Sequence, residues 1–190
     1  MNVTLWALLV AFLASLGGRD QLVVAGLTAR LGRHAGLLLL AITTGLLASA
    51  AAAWASGALG GVVSRRAAIV LAAMALGVAG LESLLVPARF SAKEPTRSFF
   101  AAGLVLIMHQ MLDATRFLVL ALALATQAPV GAALGGAMGT ALAMGLGWSA
   151  GAAMLDNQRA LGRARRLAGV LLLVAALGLA IWISGNNAAN

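Results

Sequence analysis

The chain of 190 residues contains no cysteine and few charged residues. Without cysteine, neither a disulfide framework nor a thiolate metal site can form. Only 9% of the residues are charged, whereas about a quarter of the residues in a soluble domain carry a charge. A soluble fold of this length would lack a polar surface, so the composition predicts an integral membrane protein.

Apolar runs occupy most of the chain, which is 62% hydrophobic and has a mean hydropathy of +1.00. Most runs are near the ~20 residues that cross a hydrocarbon core. We therefore predict an all-α fold of six transmembrane helices, over 5–29, 35–56, 67–86, 98–126, 130–155 and 167–184. The first and fourth runs are longer than a span requires, which predicts a tilt or a local break.

Basic residues alternate between the predicted loops. Nine lie in the loops after the first, third and fifth helices, and two lie on the opposite side. The nine are Arg30, Arg33, Arg89, Lys93, Arg97, Arg159, Arg163, Arg165 and Arg166, and the two are Arg65 and Arg66. Since cytoplasmic loops collect positive charge, loops 87–97 and 157–166 are predicted to be cytoplasmic and both termini outside. The expected location is a bacterial inner membrane. The net charge of +8 is explained by these loops without a nucleic-acid partner.

Two polar clusters interrupt the first and fourth apolar runs, at 17–21 and 109–116. Charged side chains inside a membrane are costly, and they commonly mark an ion or substrate path. Each cluster lies early in one half of the chain, and each half contains three predicted helices. The pattern predicts two inverted repeats, 1–86 and 98–190, joined by the loop 87–97, with a site where the repeats meet.

Spaced glycines mark the fifth predicted helix, where Gly131, Gly135 and Gly139 recur every four residues. Small residues at this spacing let membrane helices approach closely. Static packing is the simpler interpretation of this pattern, and a sliding or cavity-lining helix is the functional one.

The clusters carry a resemblance to a known family. In the first repeat, Gly17, Arg19 and Gln21 match a Glu-x-Gly-Asp-Lys/Arg-Thr/Ser motif that is usually followed by Gln, while Ser15 and Gly18 replace its two acids. The second repeat keeps Asp113 and Thr115 of the motif, whereas Gln110 replaces the glutamate. On these residues and on the layout of the spans, the chain resembles the Golgi-type manganese/calcium–proton exchangers of the lysine-exporter superfamily.

The resemblance implies a non-enzymatic, proton-coupled transporter of a small cation, with the polar site between the first and fourth helices. Its substrate would be a divalent cation or a proton, and no resident cofactor is implied. The ion path would comprise Asp113, Gln110, Thr115, Asp20, Gln21, Ser15, Arg19, Arg116 and His109. Asp113, Gln110 and Asp20 are the candidate metal ligands. Membrane lipid is the expected surrounding, and a homo-oligomer is compatible with the sequence.

The chain departs from the family motif in charge. Asp20 and Asp113 balance Arg19 and Arg116, so the two clusters sum to zero, whereas the intact motif pair would be negative. A hard divalent cation prefers several charged oxygen ligands. The sequence therefore predicts weak selectivity for manganese or calcium.

Simpler roles remain open for the ionisable residues. Asp113 could pair with Arg116 or Arg19, and Asp20 with Arg116, without any chemistry. His109 could relay protons or only form an interior hydrogen bond. Glu82 is interpreted as structural.

Two other functions are compatible with the sequence. One is an exporter of amino acids or similar metabolites, in which arginines hold the substrate carboxylate. The other is a non-transporting membrane scaffold or regulatory protein.

Overall fold

The computed structural model describes residues 2–87 and 99–188, and these residues form helices and no strand. Helices α3, α4, α7 and residues Gln158–Gly185 of α9 are each long and apolar enough to cross a membrane. Two further spans arise if each bent pair, α1 with α2 and α5 with α6, counts as one, so the fold has four to six spans. The helices are α1 (Val3–Ser15), α2 (Arg19–Leu31), α3 (Ala35–Leu59), α4 (Arg65–Leu85), α5 (Phe99–Leu112), α6 (Ala114–Thr126), α7 (Pro129–Ala150), α8 (Ala152–Asp156) and α9 (Gln158–Ala188). The predicted all-helical membrane architecture is confirmed at this level.

The predicted local breaks are also present in the two long runs. Helices α1 and α2 meet at 65° across 16–18, where Gly17 has a φ of +66° that glycine adopts without strain. Helices α5 and α6 meet at 51°, and Asp113 between them has an extended backbone. The first break adjoins the polar cluster at 17–21, and the second lies within the cluster at 109–116.

The prediction of a loop over 157–166 is wrong, because α9 begins at Gln158. The chain turns instead at Gly151, which has a φ of +48°, and at Asn157. The bases at 89, 93 and 97 of the predicted cytoplasmic loop lie outside the described residues, as do both chain termini.

The helices pack most closely at glycines, as predicted. A Cβ atom at Gly135 would lie 2.2 Å from the carbonyl oxygen of Thr4, and one at Gly139 would lie 2.4 Å from that of Leu8. Helix α7 therefore packs backbone against backbone on α1. Helices α4 and α9 meet in the same way, since a Cβ at Gly80 would lie 2.9 Å from the Gly169 carbonyl oxygen.

Basic residues are concentrated at one end of the bundle, which we call the basic end. There the indole Nε1 of Trp148, on α7, donates a hydrogen bond of 3.1 Å to the carbonyl of His34, and Arg33 donates to the carbonyl of Ser149. The start of α9, with Arg165 and Arg166, follows α7 and the short α8 at this same end.

The half of the bundle away from the basic end has an apolar core. Helices α1, α4, α6 and α9 contribute buried residues to one cluster there. Its members are Val10, Ala72, Ala75, Leu76, Ala79, Leu118, Ala121, Leu172 and Ala176. A cavity of about 560 Å³ lies between the same four helices, and its lining is almost entirely apolar.

Candidate functional site

The two helix breaks face each other inside the bundle. Ser15 ends α1, Thr115 lies in the first turn of α6, and their hydroxyl oxygens are 3.4 Å apart. Both residues are buried. The two polar clusters, about 100 residues apart in sequence, therefore meet at one place, which we call the central polar site.

Gln21 holds the first break in its bent form. Its side-chain oxygen accepts a hydrogen bond of 2.6 Å from the backbone N–H of Gly17, and its side-chain nitrogen donates to the carbonyl of Ala143 at 2.8 Å. The side chain is 0% exposed. Because an unpaired N–H in a membrane interior is costly, Gln21 stabilises the break and joins it to α7.

Asp113 caps the second break. Its Oδ2 accepts a hydrogen bond of 3.2 Å from the backbone N–H of Thr115, which is the usual arrangement of an N-cap aspartate. Asp113 is only half-buried. Its carboxylate therefore has a structural partner at the start of α6.

Arg116 joins three helices through hydrogen bonds to uncharged groups. Its Nε donates to the carbonyl of Gln110 at 3.2 Å, and Nη2 donates to the hydroxyl of Thr140 at 3.0 Å. Its Nη1 donates to the carbonyl of Gly45 at 3.4 Å and to the hydroxyl of Ser49. No carboxylate of residues 2–87 or 99–188 lies within 4.0 Å of this guanidinium.

Asp20 and His109 bring ionisable groups from the two helix breaks together. His109 Nδ1 lies 3.8 Å from Asp20 Oδ1, too far for a direct hydrogen bond. Asp20 is 8% exposed and lies in the first turn of α2, where the helix dipole stabilises a negative charge. A small displacement would bring the imidazole into hydrogen-bonding contact with the carboxylate.

A cavity of about 410 Å³ opens at the basic end and reaches the first break at Gly17. It lies between the end of α4 and the beginning of α9, with Ser83, Gln158 and Arg166 among its lining residues. We call it the inner cavity. It provides space for a small solute beside the central polar site.

Arg165 lines the inner cavity where the cavity meets the first break. Its Nη1 donates to the Gly17 carbonyl at 2.7 Å, and its Nη2 lies 3.8 Å from Glu82 Oε1. The sequence analysis placed Arg165 in a loop and did not identify this contact. A signal was present, because Arg165 shares the helical spacing of the buried residues Ala168 and Leu172.

The other predicted site residues are not all brought together. Gln110 donates its side-chain amide to Thr44 on α3, at 3.2 Å, and Arg19 is exposed. The ion pairs considered as an alternative, Asp113 with Arg116 or Arg19 and Asp20 with Arg116, are not formed, because none of these charged groups lie within 4.0 Å of each other. Among the described residues, no group of three or more His, Asp or Glu side chains could hold a metal ion. The structure gives no contact that joins the candidate ligands Asp113, Gln110 and Asp20 to one another.

Comparison with known proteins does not place the chain in a family. No protein-family model, curated protein or solved structure matches it. The geometry of the central polar site and of the inner cavity therefore carries the functional argument.

Proposed function

We propose that the chain is a secondary transporter of the bacterial inner membrane that moves a small cation by alternating access, coupled to protons. The observation that carries this proposal is the meeting of two helix breaks through Ser15 and Thr115, with a carboxylate beside each break. Asp20 follows the first break and Asp113 forms the second. Discontinuous helices that meet at a repeat interface are a recurrent way to build a transport site.

The order of the helices supports an inverted-repeat architecture. In this proposal α1 and α2 correspond to α5 and α6, α3 corresponds to α7, and α4 corresponds to α9. Each repeat would then begin with a broken span and continue with two long helices, although α9 is preceded by the short α8. We assign 1–86 and 98–190 to the two repeats on this correspondence.

The two ends of the bundle differ in the polarity of their cavities, which supports entry of a charged solute from one side. The inner cavity lies between α4 and α9 at the basic end and is lined in part by Arg165 and Arg166. At the other end, a cavity of about 560 Å³ between α1, α4, α6 and α9 is lined almost entirely by apolar side chains. Alternating access requires the central polar site to open towards each end in turn.

The hydrogen bonds of Arg116 favour a cation over an anion at the central site. All three guanidinium nitrogens donate to backbone or hydroxyl groups, so this arginine is not free to bind a substrate carboxylate. The groups that remain are the carboxylates of Asp20 and Asp113 and the imidazole of His109. All three can accept protons, and carboxylate oxygens also ligate metal cations.

A second candidate function, export of amino acids or similar metabolites, is favoured by the inner cavity. Arg165 lines this cavity beside Glu82, and the Nε of Arg165 has no hydrogen-bond partner among the described residues. An arginine and a glutamate 3.8 Å apart match the carboxylate and ammonium groups of an amino acid. In this alternative the substrate would separate the pair.

A flux assay with purified protein in liposomes tests both candidates with manganese, calcium, protons and amino acids. For the cation exchanger, Asp113→Asn and Asp20→Asn are each expected to lower cation-coupled proton flux to background. Asparagine caps a helix about as well as aspartate, so Asp113→Asn should retain the fold. Asp156→Asn, at an exposed acid at the end of α8, is the matched control and should transport normally.

Three results would contradict the cation proposal. Wild-type cation flux that survives in Asp113→Asn would remove this carboxylate from the mechanism. Amino-acid flux that survives in Asp113→Asn and disappears in Arg165→Gln would support the exporter instead. Protein that folds and shows no flux of any of these solutes would favour the scaffold interpretation.

A further inference from the structure

Each helix break has an arginine on a backbone carbonyl. At the second break, Arg116 Nε donates to the carbonyl of Gln110, near the end of α5. At the first break, Arg165 Nη1 donates to the carbonyl of Gly17. A broken helix in a membrane leaves carbonyl groups that require a donor or a cation. In this structure a guanidinium supplies that positive charge at both breaks.

The two arginines are held very differently. Arg116 donates to four acceptors on α3, α5 and α7. Arg165 makes one hydrogen bond to Gly17, lies 3.8 Å from Glu82, and has an Nε without a partner among the described residues. Its side chain packs on the first break, because a Cβ atom at Gly17 would lie 3.1 Å from the Arg165 Cβ. Arg165 is therefore the arginine that can be displaced with the loss of few contacts.

We propose that Arg165 is a tethered cation that closes the first break towards the inner cavity. It occupies the Gly17 carbonyl, and a cation that enters from the cavity must replace it there before reaching Asp20. Glu82, whose side chain is 42% exposed, would retain Arg165 after its displacement. A cation can displace Arg165 only if it binds more tightly when Arg165 has left the Gly17 carbonyl than when Arg165 occupies it. The inference rests on the proposed transport function and makes Arg165 a residue that determines which cations enter.

Thiol labelling tests this closure without requiring transport. Because the chain contains no cysteine, a single introduced cysteine is the only thiol that reacts. A reporter, Ser15→Cys, is placed beyond Arg165 and reacted with a cationic methanethiosulfonate reagent on purified protein in detergent. In the Arg165→Gln background, labelling should be about tenfold faster than with Arg165 present, the factor expected for the loss of one charged hydrogen bond. Arg166→Gln is the matched control, because it removes the same charge from the same cavity. It should accelerate labelling much less than Arg165→Gln does.

A second reporter checks access to the cavity. Gln158→Cys lines the inner cavity at an exposed position and should react rapidly in every background. Equal labelling of Ser15→Cys with and without Arg165 would overturn the proposal. An equal acceleration in Arg166→Gln would also overturn it, because charge alone would then explain the effect.

The folding of each labelled variant is measured in the same experiment. If Arg165→Gln does not fold, Arg165→Met combined with Glu82→Gln removes both charges of the pair and is tested in the same way. If neither variant folds, Arg165 has a structural role and the proposal is wrong. Faster labelling in a protein without cation flux would support the closure and contradict the proposed function, so the two failures are distinguishable.

Discussion

At the scale of single residues, Arg116 shows how a charge can be accommodated inside an apolar bundle without an ion pair. Its planar guanidinium reaches α3, α5 and α7 at once, through acceptors separated in sequence by 6 to 71 residues. Without Arg116 these acceptors would lose a hydrogen-bond donor, and a membrane interior supplies no water to replace it. The arginine therefore fixes the angle of the second break relative to the two long helices.

Replacement of the Arg116 guanidinium by a single ammonium group should destabilise the protein. Arg116→Lys keeps the charge but cannot reach three helices with one nitrogen. We expect a loss of about 2–3 kcal/mol in the free energy of unfolding, from hydrogen bonds of charged donors. That loss corresponds to a decrease of roughly 5–10 °C in the melting temperature for a chain of this length.

The melting temperature in detergent, followed by tryptophan fluorescence, checks this expectation. The matched control is Arg19→Lys, at an exposed arginine on α2, and it should change the free energy of unfolding by no more than about 0.5 kcal/mol. Similar melting of both variants would mean that the hydrogen bonds of Arg116 do not hold the bundle together.

Sequence analysis could identify the charged members of the site and could not identify their partners. Asp20, Asp113 and Arg116 are conspicuous because they interrupt apolar runs. Ser49 and Thr140 resemble any other small polar residues of a membrane helix, and only the fold brings them to Arg116. Instead of the ion pairs left open by the sequence, Arg116 donates to neutral acceptors on neighbouring helices.

At the scale of elements, the length of the first and fourth apolar runs predicted a tilt or a local break in each, and the structure has a break in both. The beginning of α9 was not predictable from hydropathy, because residues 158–166 contain four arginines and resemble a loop. In the structure this segment is an extension of the helix beyond the apolar span. Only Arg165 among those arginines is buried, against Gly17.

Helix α7 offers a stringent test of the packing. Gly139→Ala would place a methyl group 2.4 Å from the Leu8 carbonyl oxygen, so α1 must move away. We expect a loss of about 1–3 kcal/mol in the free energy of unfolding, as for other overpacked sites. Gly145→Ala on the same helix meets no atom within 4 Å. It should stabilise the protein slightly, since alanine favours helix by about 1 kcal/mol over glycine.

The melting temperatures of Gly139→Ala and Gly145→Ala test whether α1 and α7 pack in backbone contact. The sign of the effect should differ between them, although the chemical change is identical. If Gly139→Ala melts at or above the wild-type temperature, α1 and α7 do not pack in backbone contact.

At the scale of the whole molecule, the structure places several predicted cytoplasmic bases at one end. Arg33 contacts the end of α7 there, and Arg165 and Arg166 line the inner cavity. Arg65 and Arg66 begin α4 at the opposite end. This separation of charge is a property of the fold, whereas the side that faces the cytoplasm follows from the positive-inside rule.

Sidedness can be tested by single cysteines in a chain that has none. Val62→Cys lies in the connection between α3 and α4 at a position that is 85% exposed, and Ala160→Cys is exposed near the start of α9. Because basic segments remain in the cytoplasm, an impermeant maleimide added to intact cells should label Val62→Cys and leave Ala160→Cys unlabelled. Both should react once the membrane is permeabilised, which controls for reactivity. The opposite pattern would place the basic end and the inner cavity outside, so that the proposed open side would face away from the cytoplasm.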